Sequence, residues 1–180
     1  MRRFTPSLPL PVPSLNQVLA RAGCPPGRAG EDIEGAALEA IASVSGISTA
    51  WCEAVFLPVQ EKPGFLKGVF PDLPVTVMAA TLGDGYDALR KQGELQAFLA
   101  DAAASVEVEA FMRRLQMHLS ETLGMMPTER VAPGYGNMPL AIQREIIGMF
   151  PASRIRCTEG FMLSPVKSMT GVTGWIKQQH

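Results

Sequence analysis

The sequence of 180 residues carries 16 Lys and Arg against 17 Asp and Glu, a formal net charge of −1, and is 47% apolar. That balance offers no basic stripe for a nucleic acid and no strongly charged face for a partner of opposite sign. No run of about 18 or more apolar residues occurs, which excludes a transmembrane helix, and the length suits one domain with a proper core.

Residues 1–13 read as an extended arm rich in proline (Pro6, Pro9, Pro11, Pro13) ahead of a single domain over 14–180. Arg2 and Arg3 precede no continuous apolar segment and no small-residue cleavage site, so no signal peptide is expected. Ser14 can cap a short helix to Ala22, whose stripe is Leu15, Val18 and Leu19, and Gly23-Cys24-Pro25-Pro26-Gly27 stops it. A second helix is predicted from Asp32 to Val44, with Ile33, Ala37, Leu38 and Ile41 on one side. Ser48 to Val59 reads as a strand. Val75 to Thr81 reads as a strand apolar enough to be buried on both faces. Tyr86 to about Gln92 is a short helix. The longest helical pattern runs from Leu95 to Leu123, with Ala104, Val108, Phe111, Leu115 and Leu119 toward the core and Gly124 as its stop. A loop over Arg130–Asn137, a helix over Pro139–Phe150, a short strand over Ile155–Thr158, an irregular or extended stretch over Gly160–Lys167 and a last strand over Met169–Ile176 complete the chain.

Cys24, Cys52 and Cys157 are odd in number and far apart, with no C-x-x-C pair, so no metal site is expected and free thiols in a cytoplasmic protein are. The only histidines are His118, inside a helical pattern, and His180, which leaves a Ser–His–Asp triad without a suitable base. Gly83-Asp84-Gly85-Tyr86-Asp87-Ala88 matches G-x-G-x-x-A after a strand. A dinucleotide fold also needs a second strand ending in an acid about 20 residues on. Ala102 to Glu109 is helical there, so the motif reads as a tight strand-to-helix turn.

Two later segments carry more chemistry. Arg130-Val131-Ala132-Pro133-Gly134-Tyr135-Gly136 joins a planar cation able to hold a carboxylate, glycines that admit close backbone approach, and an aromatic face. Thr158 to Gly171 is rich in hydroxyl and small residues and enters a strand. By composition alone each is an ordinary surface loop. Together, R-x-A-P-G-Y, then a helix, then T-E-x-x-M-x-x-P-x-x-S-x-x-G resembles the reactivation domain of cobalamin-dependent methionine synthase and its shorter stand-alone relatives. The strong match runs from Arg130 to about Trp175. A weaker one includes Ala80-Thr81-Leu82-Gly83 and Glu109-Ala110-Phe111.

The resemblance implies an α+β fold with a twisted, mainly antiparallel sheet packed with helices. It implies that S-adenosylmethionine is bound, with Arg130 on the methionyl carboxylate and backbone of Ala132 and Gly134 against the ligand. Tyr135 would lie near the methyl group and the corrin face, in the catalytic position, and Met162 to Gly171, with Ser168, would wall the cleft. Glu109 would meet the methionyl ammonium, although Glu107 lies two residues away on the same helix. The family's chemistry is reductive methylation of cobalamin, with electrons from a flavodoxin or ferredoxin-like donor. No corrin-binding module is present here, so the expected partner is a separate corrinoid protein or cobalamin-dependent methyltransferase. Gly160 stands where relatives carry Ser, which removes a hydroxyl. Two rival readings are a non-catalytic module that docks on a corrinoid protein or methyltransferase, and a degenerate domain whose loop is kept for folding.

Overall fold

A computed structural model describes residues 1–25, 27–91 and 93–177. The predicted helix end at Gln92, and His180, lie outside the described residues. The centre of the fold is an antiparallel sheet of five strands: β1 (Arg2–Phe4), β2 (Trp51–Leu57), β3 (Val75–Thr81), β7 (Ser168–Lys177) and β4 (Met125–Pro127), in that spatial order. Between β4 and β7 in sequence lie a helix α5 (Ile142–Gly148) and a small hairpin of β5 (Arg156–Cys157) and β6 (Leu163–Ser164). The remaining helices are α1 (Leu15–Arg21), α2 (Glu31–Ile47), α3 (Tyr86–Leu89) and α4 (Glu94–Leu123). The α+β architecture expected from the sequence is the one found.

Side chains alternate across a strand, so a strand covered on both faces must be apolar at every position. β3 comes close to that condition: all seven residues are buried, and only Thr76 and Thr81 are polar. Met78 and Ala80 join Cys52, Ala54, Phe111, Leu115 and Trp175 beneath α4. Val75, Val77 and Ala79 point the other way, to Val55, Leu57, Met138, Ile146 and Phe150 beneath α5 and its flanking loops. Two of the polar groups that intrude satisfy each other: the indole Nε1 of Trp175 donates to Thr76 Oγ1 at 2.7 Å. A third cluster holds α1 and α2 against the first half of α4 through Val18, Leu19, Ala37, Ile41, Val44, Leu99 and Ala103.

The local signals explain the boundaries. Ser14 and Gln17 form a reciprocal capping box at the start of α1. Gly124 closes α4 in the left-handed region, φ 62°, as the C-terminal glycine predicts.

The extended arm begins as part of the sheet. Arg2–Phe4 pair with Ala54–Phe56 as the edge strand of the sheet. Arg3 forms an ion pair with Glu53, which is 2% exposed, and donates to the carbonyl of Met149 at 3.0 Å. A carboxylate buried on that face needs a cation, and the arm supplies it. Farther along, Arg114 of α4 donates to Pro9 O at 2.7 Å, and Leu8 and Leu10 pack against the core. The sequence reading also missed β4, which pairs with Trp175–Lys177; β6 lies in the stretch read as irregular or extended.

Candidate functional site

The loop after β4 brings Arg130 back to the sheet. Its neighbour Val131 exchanges both backbone bonds with Val172 of β7, at 2.9 and 2.8 Å. This bridge fixes the Arg130 backbone beside β7 and sends its side chain across Gly171. A Cβ at Gly171 would lie 2.6 Å from Arg130 Cδ and 2.8 Å from Cγ, so only glycine leaves room for the arginine stem. The glycine that closes the second motif is thus the bed on which the first motif's arginine lies.

The guanidinium ends at α4. Arg130 Nη2 is 2.5 Å from Glu109 Oε1, with the arginine side chain 13% exposed and the glutamate 39%. Arg113, one turn on, touches the same carboxylate oxygen at 4.0 Å from solvent. The choice left open between Glu107 and Glu109 resolves here. Glu107 is wholly buried and faces α2, where Ser45 and Ser48 donate to it at 3.1 and 3.5 Å. Burial raises its carboxyl pKa, and the two serine bonds only partly offset that. Residues two apart on a helix point about 200° apart around its axis, so burying one leaves the other on the opposite side.

Beyond Arg130 the loop closes on itself. Gly134 N–H donates to Met138 O at 2.8 Å, Met138 N–H to Tyr135 O at 3.1 Å, and Tyr135 N–H to Ala132 O at 3.1 Å. Gly134 and Gly136 take positive φ, 88° and 57°, which makes the turn that pushes Tyr135 outward. Its ring is 72% exposed.

An open groove of about 990 Å³ runs beside these residues. One wall is α4 through Ser105, Glu109 and Arg113; the second is the start of β7 through Lys167, Ser168 and Met169, with Val166 before it; the third is the arm and α1 through Pro11, Gln17 and Arg21. Tyr135 stands at its edge. Of the residues predicted for the site, Glu109, Tyr135 and Ser168 line the groove, and Arg130 adjoins it through Glu109. Ala132 and Gly134 do not line it; they shape the turn that carries Tyr135. The Ser168 hydroxyl already sits 2.6 Å from Pro165 O and 2.8 Å from Thr81 Oγ1, so its proton is committed inside the protein.

One part of the groove escaped the sequence reading. The arm and α1 form a whole wall, although nothing in their composition marks them. Lys167 falls inside the Met162–Gly171 segment expected to wall the cleft, though without a role of its own, and is 8% exposed. Its ammonium donates to Asp101 Oδ1 and to Ser105 Oγ, both at 2.9 Å, and lies 4.9 Å from the centre of the Tyr86 ring. Tyr86 donates to the same Asp101 oxygen at 2.7 Å. Burial and the Asp101 carboxylate raise the tyrosine pKa. Burial pushes Asp101 up as well, but the bonds from Lys167 and Tyr86 outweigh it and the net shift is downward. The available signal was Lys167 as the sole basic residue between Arg156 and Lys177.

The G-x-G-x-x-A turn has a packing explanation. A Cβ at Gly83 would lie 2.0 Å from Thr49 Oγ1 and one at Gly85 2.6 Å from Ile47 O. β3 is flanked by antiparallel strands only, so no βαβ unit exists for a dinucleotide. Among the described residues no helix is long and apolar enough to cross a membrane.

No family model matches the chain, and no curated protein matches it. Among solved structures, the crystal structure of the MetH reactivation domain bound to AdoHcy is similar over 99% of this chain and 79% of that one, with a TM-score of 0.65 and 14% identity. The two share a fold.

Proposed function

We propose that the groove binds S-adenosylmethionine and presents its methyl group to a cobalamin carried by a separate corrinoid protein or methyltransferase. The observation that carries this reading is convergence: Glu109 from α4, Tyr135 from the Arg130 loop and Ser168 from β7 meet at one groove, with Arg130 bonded to Glu109. The fold neighbour has AdoHcy, the demethylated product of that ligand, bound to it.

The donor set fits such a ligand. A sulfonium amino-acid nucleoside needs a cation for its carboxylate and an anion for its ammonium, and Arg130 and Glu109 supply them. The groove is of the volume that ligand sites of this size occupy, and Val108, Met117 and Met169 give it apolar wall. The Tyr135 ring attracts a sulfonium through its negative face. Once the partner's cobalt has been reduced by an external electron donor, methyl transfer from the sulfonium traps it and releases S-adenosylhomocysteine. The contribution of this chain is to hold the donor at one orientation; Tyr135 stands at the mouth, where the two reactants would meet.

A second reading keeps the docking and drops the chemistry. Tyr135 and Val166 are large apolar side chains left exposed at the groove, and exposed apolar surface of that kind suits a partner. Calorimetry separates the two. Saturable binding of S-adenosylhomocysteine, lost by about tenfold or more in Arg130→Ala with circular dichroism unchanged, supports the ligand site. A reduced corrinoid partner that is then methylated in its presence, followed by its visible spectrum, supports the reaction. Partner capture without nucleoside binding supports the docking module.

A further inference from the structure

We infer that the Glu109–Arg130 ion pair is a selectivity lock for zwitterionic α-amino-acid head groups. The inference rests on the proposed ligand site and concerns what that site rejects.

The two groups expected to hold opposite charges of one ligand hold each other, Nη2 to Oε1 at 2.5 Å. Arg130 is the more constrained of the two. Arg130 is 13% exposed, its stem lies on Gly171 and its backbone is pinned by the Val131–Val172 bridge. Glu109 projects from the middle of a helix of 30 residues. A ligand head that bonds both groups must therefore displace the contact between two opposite charges.

The consequence differs by ligand class. A zwitterion exchanges one internal pair for two external ones, and both protein groups stay partnered. A head with a carboxylate alone takes Arg130 and leaves Glu109 with only the exposed Arg113 at 4.0 Å. A head with an ammonium alone takes Glu109 and strands Arg130, the more buried of the two. A charged group left unpaired away from water carries a desolvation penalty, so either single-charge head binds at a loss. A nucleoside with no charged head leaves the pair closed and gains nothing from it. The groove is thereby set against 5′-thionucleosides that lack the amino-acid head, whatever their fit to the rest of the groove.

The experiment is calorimetric titration of the intact chain and of Glu109→Gln with three compounds: S-adenosylhomocysteine, its deaminated analogue that keeps the carboxylate, and its decarboxylated analogue that keeps the ammonium. The wild-type chain is expected to prefer S-adenosylhomocysteine over each analogue by about tenfold or more. In Glu109→Gln the internal competitor is gone and the ammonium has lost its partner. S-adenosylhomocysteine then weakens, the deaminated analogue strengthens, and their ratio collapses. Arg130→Met gives the mirror result, in which the decarboxylated analogue gains, and serves if the glutamine variant does not fold. A ratio that stays at its wild-type value in the folded variants overturns the lock while leaving the ligand site standing. Failure of S-adenosylhomocysteine to bind the wild-type chain overturns both.

Discussion

Gly171→Ala tests the link between the two motifs at a single methyl group. The added Cβ would meet Arg130 Cδ at 2.6 Å and Cγ at 2.8 Å. Carbon atoms rest about 3.5–4.0 Å apart, so the arginine stem must rise by roughly 1 Å. The strand cannot yield instead: Gly171 sits opposite Met78 in the β3 ladder, and its neighbour Val172 is bonded to Val131. A rise of that size lifts the guanidinium from 2.5 Å beyond the usual limit of about 3.2 Å and breaks its hold on Glu109. Overpacking costs about 1–3 kcal/mol, and replacing a glycine inside a strand returns about 0.5–1 kcal/mol. The net loss is about 1–2 kcal/mol, a fall in Tm of roughly 2–8 °C for a domain of this size. The assay pairs a thermal melt with calorimetric titration of S-adenosylhomocysteine. Affinity is expected to drop about tenfold, the drop expected for Arg130→Ala. If Gly171→Ala melts lower but binds as tightly as the wild type, the stem is not held on the strand, and the account of how the two motifs cooperate is wrong.

Three further outcomes follow from buried and half-buried groups. Lys167→Met removes three donor contacts to Asp101 and Ser105. Because Asp101 is half-exposed, the loss at pH 7 is only about 1–2 kcal/mol. The folded protein holds Asp101 below its ordinary pKa, so this contribution is present above about pH 4 and fades as the pH falls through the folded-state value. Urea midpoints of the two proteins should converge in acid, and a gap that stays constant would refute the ion pair. Glu107→Gln keeps bonding partners for Ser45 and Ser48 and removes a carboxyl whose pKa burial raises. Its Tm is expected to exceed the wild type by about 2–4 °C at pH 7. The gain shrinks as the pH falls through the raised folded-state value and is gone below about pH 4, where the wild-type carboxyl is protonated in both states. Burial pushes the Cys52 thiol up to about 11, while Cys24 and Cys157 are half-exposed. A thiol reagent at pH 8 should therefore modify two cysteines of the native chain and the third only after denaturation.

What could be read from the sequence was what local chemistry decides. β3 announces itself because a strand covered on both faces must be mostly apolar, and α4 because its apolar stripe persists to a glycine. Arg130 and Tyr135 stand out only through the order and spacing of two motifs that resemble a known family, since by composition their loop is an ordinary surface turn. The strand at Arg2–Phe4 could not be seen: three residues show no alternation, and the pairing partner begins at Ala54. Met125–Pro127 was hidden by its proline, which only an edge strand tolerates. The Lys167 network joins positions 66 residues apart, and no spacing rule connects them. The side on which Glu107 and Glu109 fall was within reach, since helical geometry sets them on opposite faces; what was missing was knowledge that α2 covers Glu107.

The three walls of the groove come from the arm with α1, from α4, and from the start of β7, stretches that span most of the polypeptide. Such a cavity has no precursor in a fragment or a partly assembled chain; it comes into being with the last docking event. Ligand occupancy and global folding are therefore one equilibrium, and a nucleoside present at 100 times its Kd would raise the unfolding free energy by about 2.7 kcal/mol. A rise in melting temperature that Arg130→Ala abolishes consequently reports on the groove, with no need to know the partner or to reconstitute a reaction.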